Sequence, residues 1–500
     1  MFCARSYQPR SFDQALLHRC VAQHWPRVRS ACETHGRPLP SFVRREFDAY
    51  LRCGDLREGF LRIHCAGCGH DRLVPFSCKG RGFCPSCGGR RMAEGATWLC
   101  DRILPAVPLR QWVLSLPKVL RYLLAYDGKL CRAVAKTAMQ EVFRYQRLRA
   151  RRALGLGSTR QAHTGAMVAV QRFGSALNLN IHFHALVLDG VFVVDGFGHP
   201  TFVPLAPPSL ADLHRVAARI AGAVMALLRR RHIWLDDLGE SEDPVAQRSE
   251  SLAGMAKASI SGTLVFGSAG AKPVRLQDAR QWVPEQVERA GKALGFVLDA
   301  EVRVSADNRF HRERLCRYLL RPPLATIGEA NRAESAQSIA GAKPRGPQAR
   351  AKGRLHETMD GRYAFELKTP WPDGTRVIFF SGEELVARLS ALVPPPRMHL
   401  VHYFGVLAPN ARLRKQVVPE APEDADLDPC GHSVAYAETR NGRTIRRRWV
   451  PWAQLLLKVF AVDVMVCPRC DGRMQRIAVI QQPKVIAAIL ACLSRKENPP

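Results

Sequence analysis

The sequence predicts an α+β fold in three parts: a cysteine-rich N-terminal module, a central and mainly antiparallel sheet flanked by helices, and a smaller C-terminal α+β region. Three observations carry this. Cysteines paired as Cys-x-x-Cys crowd the first hundred residues. Apolar, β-branched runs then alternate with long stretches of helical spacing. After a polar, basic linker at 331–355, the pattern resumes as strand, turn, strand and helix. The expected divisions are 1–105, 106–330, the linker, and 356–500.

Composition narrows the classes of function. A chain of 500 residues exceeds one ordinary core. Its 47% hydrophobic content is ordinary, but 74 Lys+Arg against 44 Asp+Glu leave a net charge of +30. Such a surplus suits a polyanion, with nucleic acid the first candidate and an anionic membrane surface the second. The best candidate for a membrane span, 452–466, is short and carries Lys458 and Asp463. The N-terminus holds Arg5, Arg10 and Asp13 and no apolar signal segment, which suggests the cytoplasm. There, sixteen cysteines suit metal binding better than disulfides.

In the N-terminal module, Leu16, Leu17, Val21, Trp25 and Val28 recur on one helical face. A second helix is expected over 41–51, after the turn marked by Pro38 and Pro40. Cys65-x2-Cys68 is followed after fifteen residues by Cys84-x2-Cys87, the spacing of a four-thiolate zinc site. A closed tetrahedron has no open position, so the expected Zn²⁺ is structural. Cys53, Cys78 and His70 are reserve ligands, with Cys78 the strongest competitor. Lys79, Arg81, Arg90 and Arg91 crowd the knuckles and are candidate phosphate contacts or simply a solvated basic face.

The central part reads as a strand at 110–116, one helix over 119–152, strands at 165–173 and 181–194, and a helix at 210–232. Short strands at 260–266 and 302–305 and a helix at 308–320, ended by Pro322-Pro323, complete it. His182-Phe183-His184 lies within an expected strand, where side chains i and i+2 share a face. Two neutral imidazoles on one face can hold a divalent metal. With 16 histidines a His-x-His triplet is expected about 0.5 times by chance, so its weight depends on a partner. Tyr318 provides one, among Arg312, Arg314, Arg317 and Arg321. A phenol there is either ordinary packing or a nucleophile whose phenolate and phosphate adduct the guanidiniums stabilise. Together with the basic charge, these residues point to metal-assisted phosphodiester transfer through tyrosine, leaving a 5′-phosphotyrosine and a 3′-hydroxyl.

Further on, residues 363–380 predict a hairpin turning at Asp373-Gly374, a candidate continuation of the central sheet, followed by a helix at 383–392. The basic run 440–448 precedes Trp449 and Trp452, which could combine phosphate contact with base stacking. Cys467-x2-Cys470 is either a tight turn with free thiols or half a zinc knuckle, with Cys430 and His432 as candidate completing ligands.

The ordered motifs FSCKGRGFCPSCGGRRM, RQWVLSLP, the HFH strand, RYLLRPPLA, VPPPRMHLVHYFGVLAPN and VMVCPRCDGRM span nearly the whole chain. In them the sequence resembles the rolling-circle transposases of the insertion-sequence-ninety-one type, including common-region elements, within the His-hydrophobic-His (HUH) endonuclease superfamily. The resemblance implies an HUH nuclease domain, single-stranded DNA at element ends as substrate, His182 and His184 as ligands of a catalytic Mg²⁺ or Mn²⁺, and Tyr318 as nucleophile. Founding members resemble a two-tyrosine machine, whereas the earlier tyrosine position here is Arg314, implying a single-tyrosine cycle. A third metal ligand is usual. His311, two helical turns before Tyr318, is a candidate, as are Gln171, His163 and Asp189. Tyr122 and Tyr126 form an upstream pair of the kind relaxases use, but packing beside Leu123 and Leu124 suits them better. Arg314, Arg317, Arg321, Lys79 and Arg81 are the expected phosphate contacts, and an oligomer is compatible with the reading. The competing readings are a replication initiator or relaxase of the same chemistry, a metal-independent tyrosine recombinase, and a non-enzymatic zinc DNA-binding protein.

Overall fold

The computed structural model describes residues 15–34, 36–233, 243–266, 271–277, 290–324, 354–419, 436–440, 443–447, 453, 456 and 463–497. Cys430, His432, Trp449, Trp452 and nearly all of the expected linker lie outside them.

Helices α1 (Leu16–Thr34) and α2 (Ser41–Leu51) form where the apolar spacing places them. Trp25 stacks on Phe47 with ring centroids 4.3 Å apart, and Phe83 tilts against the same ring. A hairpin of β1 (Phe60–Cys65) and β2 (Asp71–Pro75) follows, then α3 (Pro85–Arg102), opened by a proline whose missing N–H costs nothing in a first turn.

After β3 (Leu109–Ser115), the apolar pattern expected to make one helix over 119–152 is instead split into α4 (Lys118–Tyr126) and α5 (Gly128–Ala153). The break is at Asp127, whose carboxylate accepts from the Lys129 and Leu130 amides and caps the second helix. Next come β4 (Ala162–His163), β5 (Gly165–Phe173) and β6 (Leu179–Leu188). The run to 194 divides at Asp189, and β7 (Gly190–Val194) turns away to pair with β4 and β8 (Pro200–Pro204). Gly190 permits this, since a Cβ there would lie 2.2 Å from the Val203 carbonyl oxygen.

Helices α6 (Leu210–Arg229) and α7 (Glu250–Ser261) follow. The strand expected at 260–266 is not formed: α7 runs through Ile260 and stops at Gly262, which takes φ +75°. Then come β9 (Arg275–Gln277), β10 (Gly291–Ala293), β11 (Phe296–Asp299), β12 (Arg303–Val304) and α8 (Arg309–Leu320), capped by the Asn308 side chain accepting from the His311 amide.

The hairpin of β14 (Tyr363–Glu366) and β15 (Thr375–Phe380) forms, but with β13 (Leu355–Glu357) and β9 it makes a separate four-stranded sheet. The strand that does extend the central sheet is β16 (Val401–Gly405), which pairs with β5 from Val401–Ala169 to Gly405–Gly165. Finally β17 (Tyr436–Arg440) pairs with β18 (Arg443–Arg447), and β19 (Met474–Ile480) returns to pair with β1. Residues 356–500, expected as one region, thus contribute to four sheets.

The central sheet has the order β10-β11-β3-β6-β5-β16, with β12 also on β3, and every pairing is antiparallel. This bears out the α+β class. Its middle strand is β6. Phe183, Ala185 and Val187 pack with Leu114, Val168 and Val170 into a core shared with α4, α5 and α6. The opposite face, with Leu186 and Leu188, packs with Met167, Ala169, Ala96 and Leu99 of α3, and Leu315, Cys316 and Leu319 of α8. Each fully buried Val, Leu, Phe or Met among them contributes about 1.5–3 kcal/mol, so β6 is fixed from both sides. No helix among the described residues is long and apolar enough to cross a membrane.

Candidate functional site: a histidine face under a helical tyrosine

The α3–α8 face of the sheet carries the two histidines. In register, His182 stands between Ser115 on β3 and Gln171 on β5, and His184 between Val113 and Ala169. The imidazole centroids are 4.9 Å apart. Burial pushes the His182 pKa down to about 4, against a raising hydrogen bond at Asn180 and reinforced by Arg321 and Arg121. Burial, then His182 and Arg321, holds His184 well below the ordinary range. Both rings are therefore neutral at pH 7, the state that ligates a metal.

Each ring is held at Nδ1 from behind. His182 Nδ1 lies 2.8 Å from the Asn180 carbonyl oxygen and donates to it, leaving Nε2 as the lone-pair nitrogen. His184 Nδ1 meets the side-chain amide of Gln111 at 2.7 Å. The atom placed there is Gln111 Nε2; the opposite amide orientation, with the oxygen accepting Nδ1–H, is the one that would leave the buried His184 Nε2, which has no protein partner, as a free lone pair. Gln171 adds a third acceptor. Its Nε2 donates to the Tyr318 and Leu319 carbonyls, both at 3.1 Å, which fixes the amide orientation. Its Oε1 is left buried and unpartnered. Neutral imidazoles and an orphaned amide oxygen on one sheet face suit a divalent cation.

Tyr318 lies over this face. Its ring meets His184 edge-on at 5.6 Å, and the Arg321 guanidinium sits 4.4 Å from the ring centroid. Lys368, from the connection between β14 and β15, reaches 5.8 Å from the same centroid. The helix is positioned by its end: α8 stops before Pro322-Pro323, which cannot supply amides to its last carbonyls, and Gln171 satisfies two of them.

The arginines around Tyr318 divide. Arg312 is buried and spends its guanidinium on the Leu104, Pro105 and Ala306 carbonyls. Arg317 pairs with Glu313 at 2.8 Å. Arg314 and Arg321 keep buried guanidinium nitrogens without partners. In the cysteine module, Arg81 is held by the Met398 carbonyl, while Lys79 is exposed and takes φ +52°.

Other expected residues fall elsewhere. Among the described residues, His311 joins no group of three His, Cys, Asp or Glu side chains able to share an ion. Asp189 is buried against Arg110 and Arg303, and His163 sits on β4 in another sheet. The Tyr122 hydroxyl donates to Asp243 and that of Tyr126 to the Ala391 carbonyl. Burial, with Asp243, pushes the Tyr122 pKa far up; burial pushes Tyr126 up to about 12.

The cysteines make two clusters, not the one expected from Cys65, Cys68, Cys84 and Cys87. Cys84 and Cys87, at the start of α3, meet Cys53 and Cys78, with Cys53 Sγ 3.8 and 3.9 Å from those of Cys84 and Cys87 and Cys78 Sγ 3.4 Å from that of Cys87. Cys65 and Cys68 meet Cys470 and Cys467, both pairs at 3.5 Å. The cause is the β1–β2 hairpin. Cys65 and Cys68 form its turn, whereas Cys53 and Cys78 lie beyond its open end, about 14 Å of strand away. Four sulfurs around Zn²⁺ at about 2.3 Å stand about 3.8 Å apart, so both clusters fit a closed structural site. In the first, hydrogen bonds from Cys53, Cys78 and Cys84 pull Cys87 far down, while those from Cys53, Cys78 and Cys87 push Cys84 up. Such a set holds four thiolates only around a cation.

Residues 20–116 match the family described as "Transposase zinc-binding domain", and residues 165–328 and 347–415 match the family described as "Putative transposase". No curated protein and no solved structure matches the chain. The first match contains six of the eight clustered cysteines and the second contains His182, His184, Gln171 and Tyr318. The chain is a DNA-processing enzyme with a zinc-binding domain, and it belongs to the transposases of the insertion-sequence-ninety-one type.

Proposed function

We propose that this transposase nicks and rejoins single-stranded DNA at element ends by the HUH mechanism, with Tyr318 as nucleophile and His182, His184 and Gln171 as ligands of a catalytic Mg²⁺ or Mn²⁺. The observation that carries the proposal is Gln171. One amide of the histidine sheet ties down the end of the tyrosine helix and leaves its oxygen orphaned beside His182. The bound cation would supply Lewis-acid polarisation of the scissile phosphate.

The rest falls to the chain. The Tyr318 oxygen attacks phosphorus in line, losing its proton. The bond to the 3′ oxygen breaks, that oxygen takes up a proton, and a 5′-phosphotyrosine remains. Arg321 and the unpartnered nitrogens of Arg314 offset the phosphate charge. Because Arg314 stands where two-tyrosine relatives have their second nucleophile, the adduct is resolved by attack of a 3′-hydroxyl on the same tyrosyl phosphate. Each transfer exchanges one phosphodiester for another, which requires no nucleotide hydrolysis.

The test uses labelled single-stranded oligonucleotides from the element ends. A covalent 5′-linked adduct is expected with Mg²⁺ or Mn²⁺ and not with chelator, and it should be lost in His182→Ala and His184→Ala. An adduct that persists in chelator overturns the proposal. Gln171→Ala is expected to raise the metal concentration needed at least as much as loss of an outer-shell partner does, on the order of ten- to a hundredfold.

A further inference from the structure

We propose that Cys65, Cys68, Cys467 and Cys470 hold a second structural Zn²⁺ that clasps the C-terminal segment onto the N-terminal module. The two cysteine pairs are about 400 residues apart in sequence, and the later pair lies outside both family matches. Their local geometry is nonetheless the same. The Gly69 amide donates to the Cys65 carbonyl at 2.9 Å and the Asp471 amide to the Cys467 carbonyl at 3.0 Å. The Cys65 amide donates to the His70 carbonyl, and the Cys467 amide to the Gly472 carbonyl. In each knuckle the residue after the second cysteine takes a left-handed conformation, φ +71° at Gly69 and +55° at Asp471. The knuckles face each other across the site, every thiol 3.5 Å from one of the opposite pair.

The strands beside the knuckles pair as well, from Phe60–Ile480 to Cys65–Met474. The core beneath is small, built on Ile63, Val74, Val464 and Met474, and a core of that size needs a staple. Four thiolates select Zn²⁺ over the harder Mg²⁺ or Mn²⁺. On binding, the thiol protons pass to solvent. The proposal is independent of the tyrosine chemistry.

The test is zinc content and thiol mapping on the full chain. Wild type is expected to carry two Zn²⁺ per chain by elemental mass spectrometry, with all eight clustered cysteines shielded from a maleimide. The Cys467→Ser/Cys470→Ser variant should carry one Zn²⁺, with Cys65 and Cys68 now alkylated while Cys53, Cys78, Cys84 and Cys87 stay shielded. The shielded four also report that the rest of the module remains folded. Cys65→Ser/Cys68→Ser should expose Cys467 and Cys470 reciprocally. One Zn²⁺ in the wild-type chain, a count that depends on no variant, would overturn the proposal. So would continued shielding of Cys65 and Cys68 in the Cys467→Ser/Cys470→Ser variant.

Discussion

Tyr318→Phe is expected to abolish the covalent adduct and to lower strand cleavage by about 10⁴-fold or more, the scale seen when an enzyme loses its nucleophile. That is a loss of about 5 kcal/mol of transition-state stabilisation, at 1.36 kcal/mol per decade. Little else should change. The ring edge against His184 and the Arg321 guanidinium over its face do not involve the hydroxyl. Gln171 holds the helix through the Tyr318 and Leu319 carbonyls, which the substitution retains. Thermal stability and affinity for single-stranded DNA should therefore stay near wild type, measured by a melting scan and by fluorescence anisotropy. Tyr122→Phe is the informative contrast. It removes the bond to the Asp243 carboxylate, a stability effect of about 1.5–3 kcal/mol, and should leave the adduct intact. Cleavage that survives Tyr318→Phe and disappears in Tyr122→Phe would reassign the nucleophile.

What the sequence made legible follows from which signals are local. The apolar, β-branched run behind His182-Phe183-His184 locates β6. Asn308 before a helical run and Pro322-Pro323 after it delimit α8. These cues sit within a few residues of what they determine. The misjudged features depend on distant partners or on one side chain overriding a pattern. Asp127 breaks a continuous apolar helical stripe because its carboxylate satisfies two amides better than helix continuation would. The strand taken up by the central sheet is β16, not the hairpin, because an edge strand is chosen by fit to β5 and leaves little trace in its own composition. The zinc ligands show the limit most clearly. Cys65-x2-Cys68 and Cys84-x2-Cys87 have a valid spacing, but a hairpin stands between them, and one partner pair lies at the far end of the chain. The roles of Gln111 and Gln171 leave little local trace for a related reason. Glutamine is common and uncharged, and only cross-strand register puts these two around the histidines.

Asp189 tests the difference between a buried acid that ligates and one that holds the fold. Its carboxylate accepts from Arg110 Nε at 2.7 Å and Nη2 at 3.0 Å, and from Arg303 Nε at 2.8 Å. The Arg110 and Asp189 side chains are each only 6% exposed. The ion pair joins β3, β12 and the corner where the chain leaves β6 for β7. Asp189→Ala would leave the Arg110 guanidinium buried with only the Ala300 carbonyl to accept from it, at an expected cost of about 3–5 kcal/mol in chemical denaturation. Replacing both partners by apolar residues, Arg110→Met with Asp189→Leu, should recover most of that loss, because no charge is then left buried alone. The site should be indifferent. Arg110 pairs in register with Val187, five residues along β6 from His182, or about 17 Å of strand. Mn²⁺ affinity at the histidines, measured by calorimetry at a temperature where the variant is folded, should match wild type. Unchanged stability together with a tenfold or greater loss of Mn²⁺ affinity would instead make Asp189 a ligand, and would require the Arg110 pair to open when the metal binds.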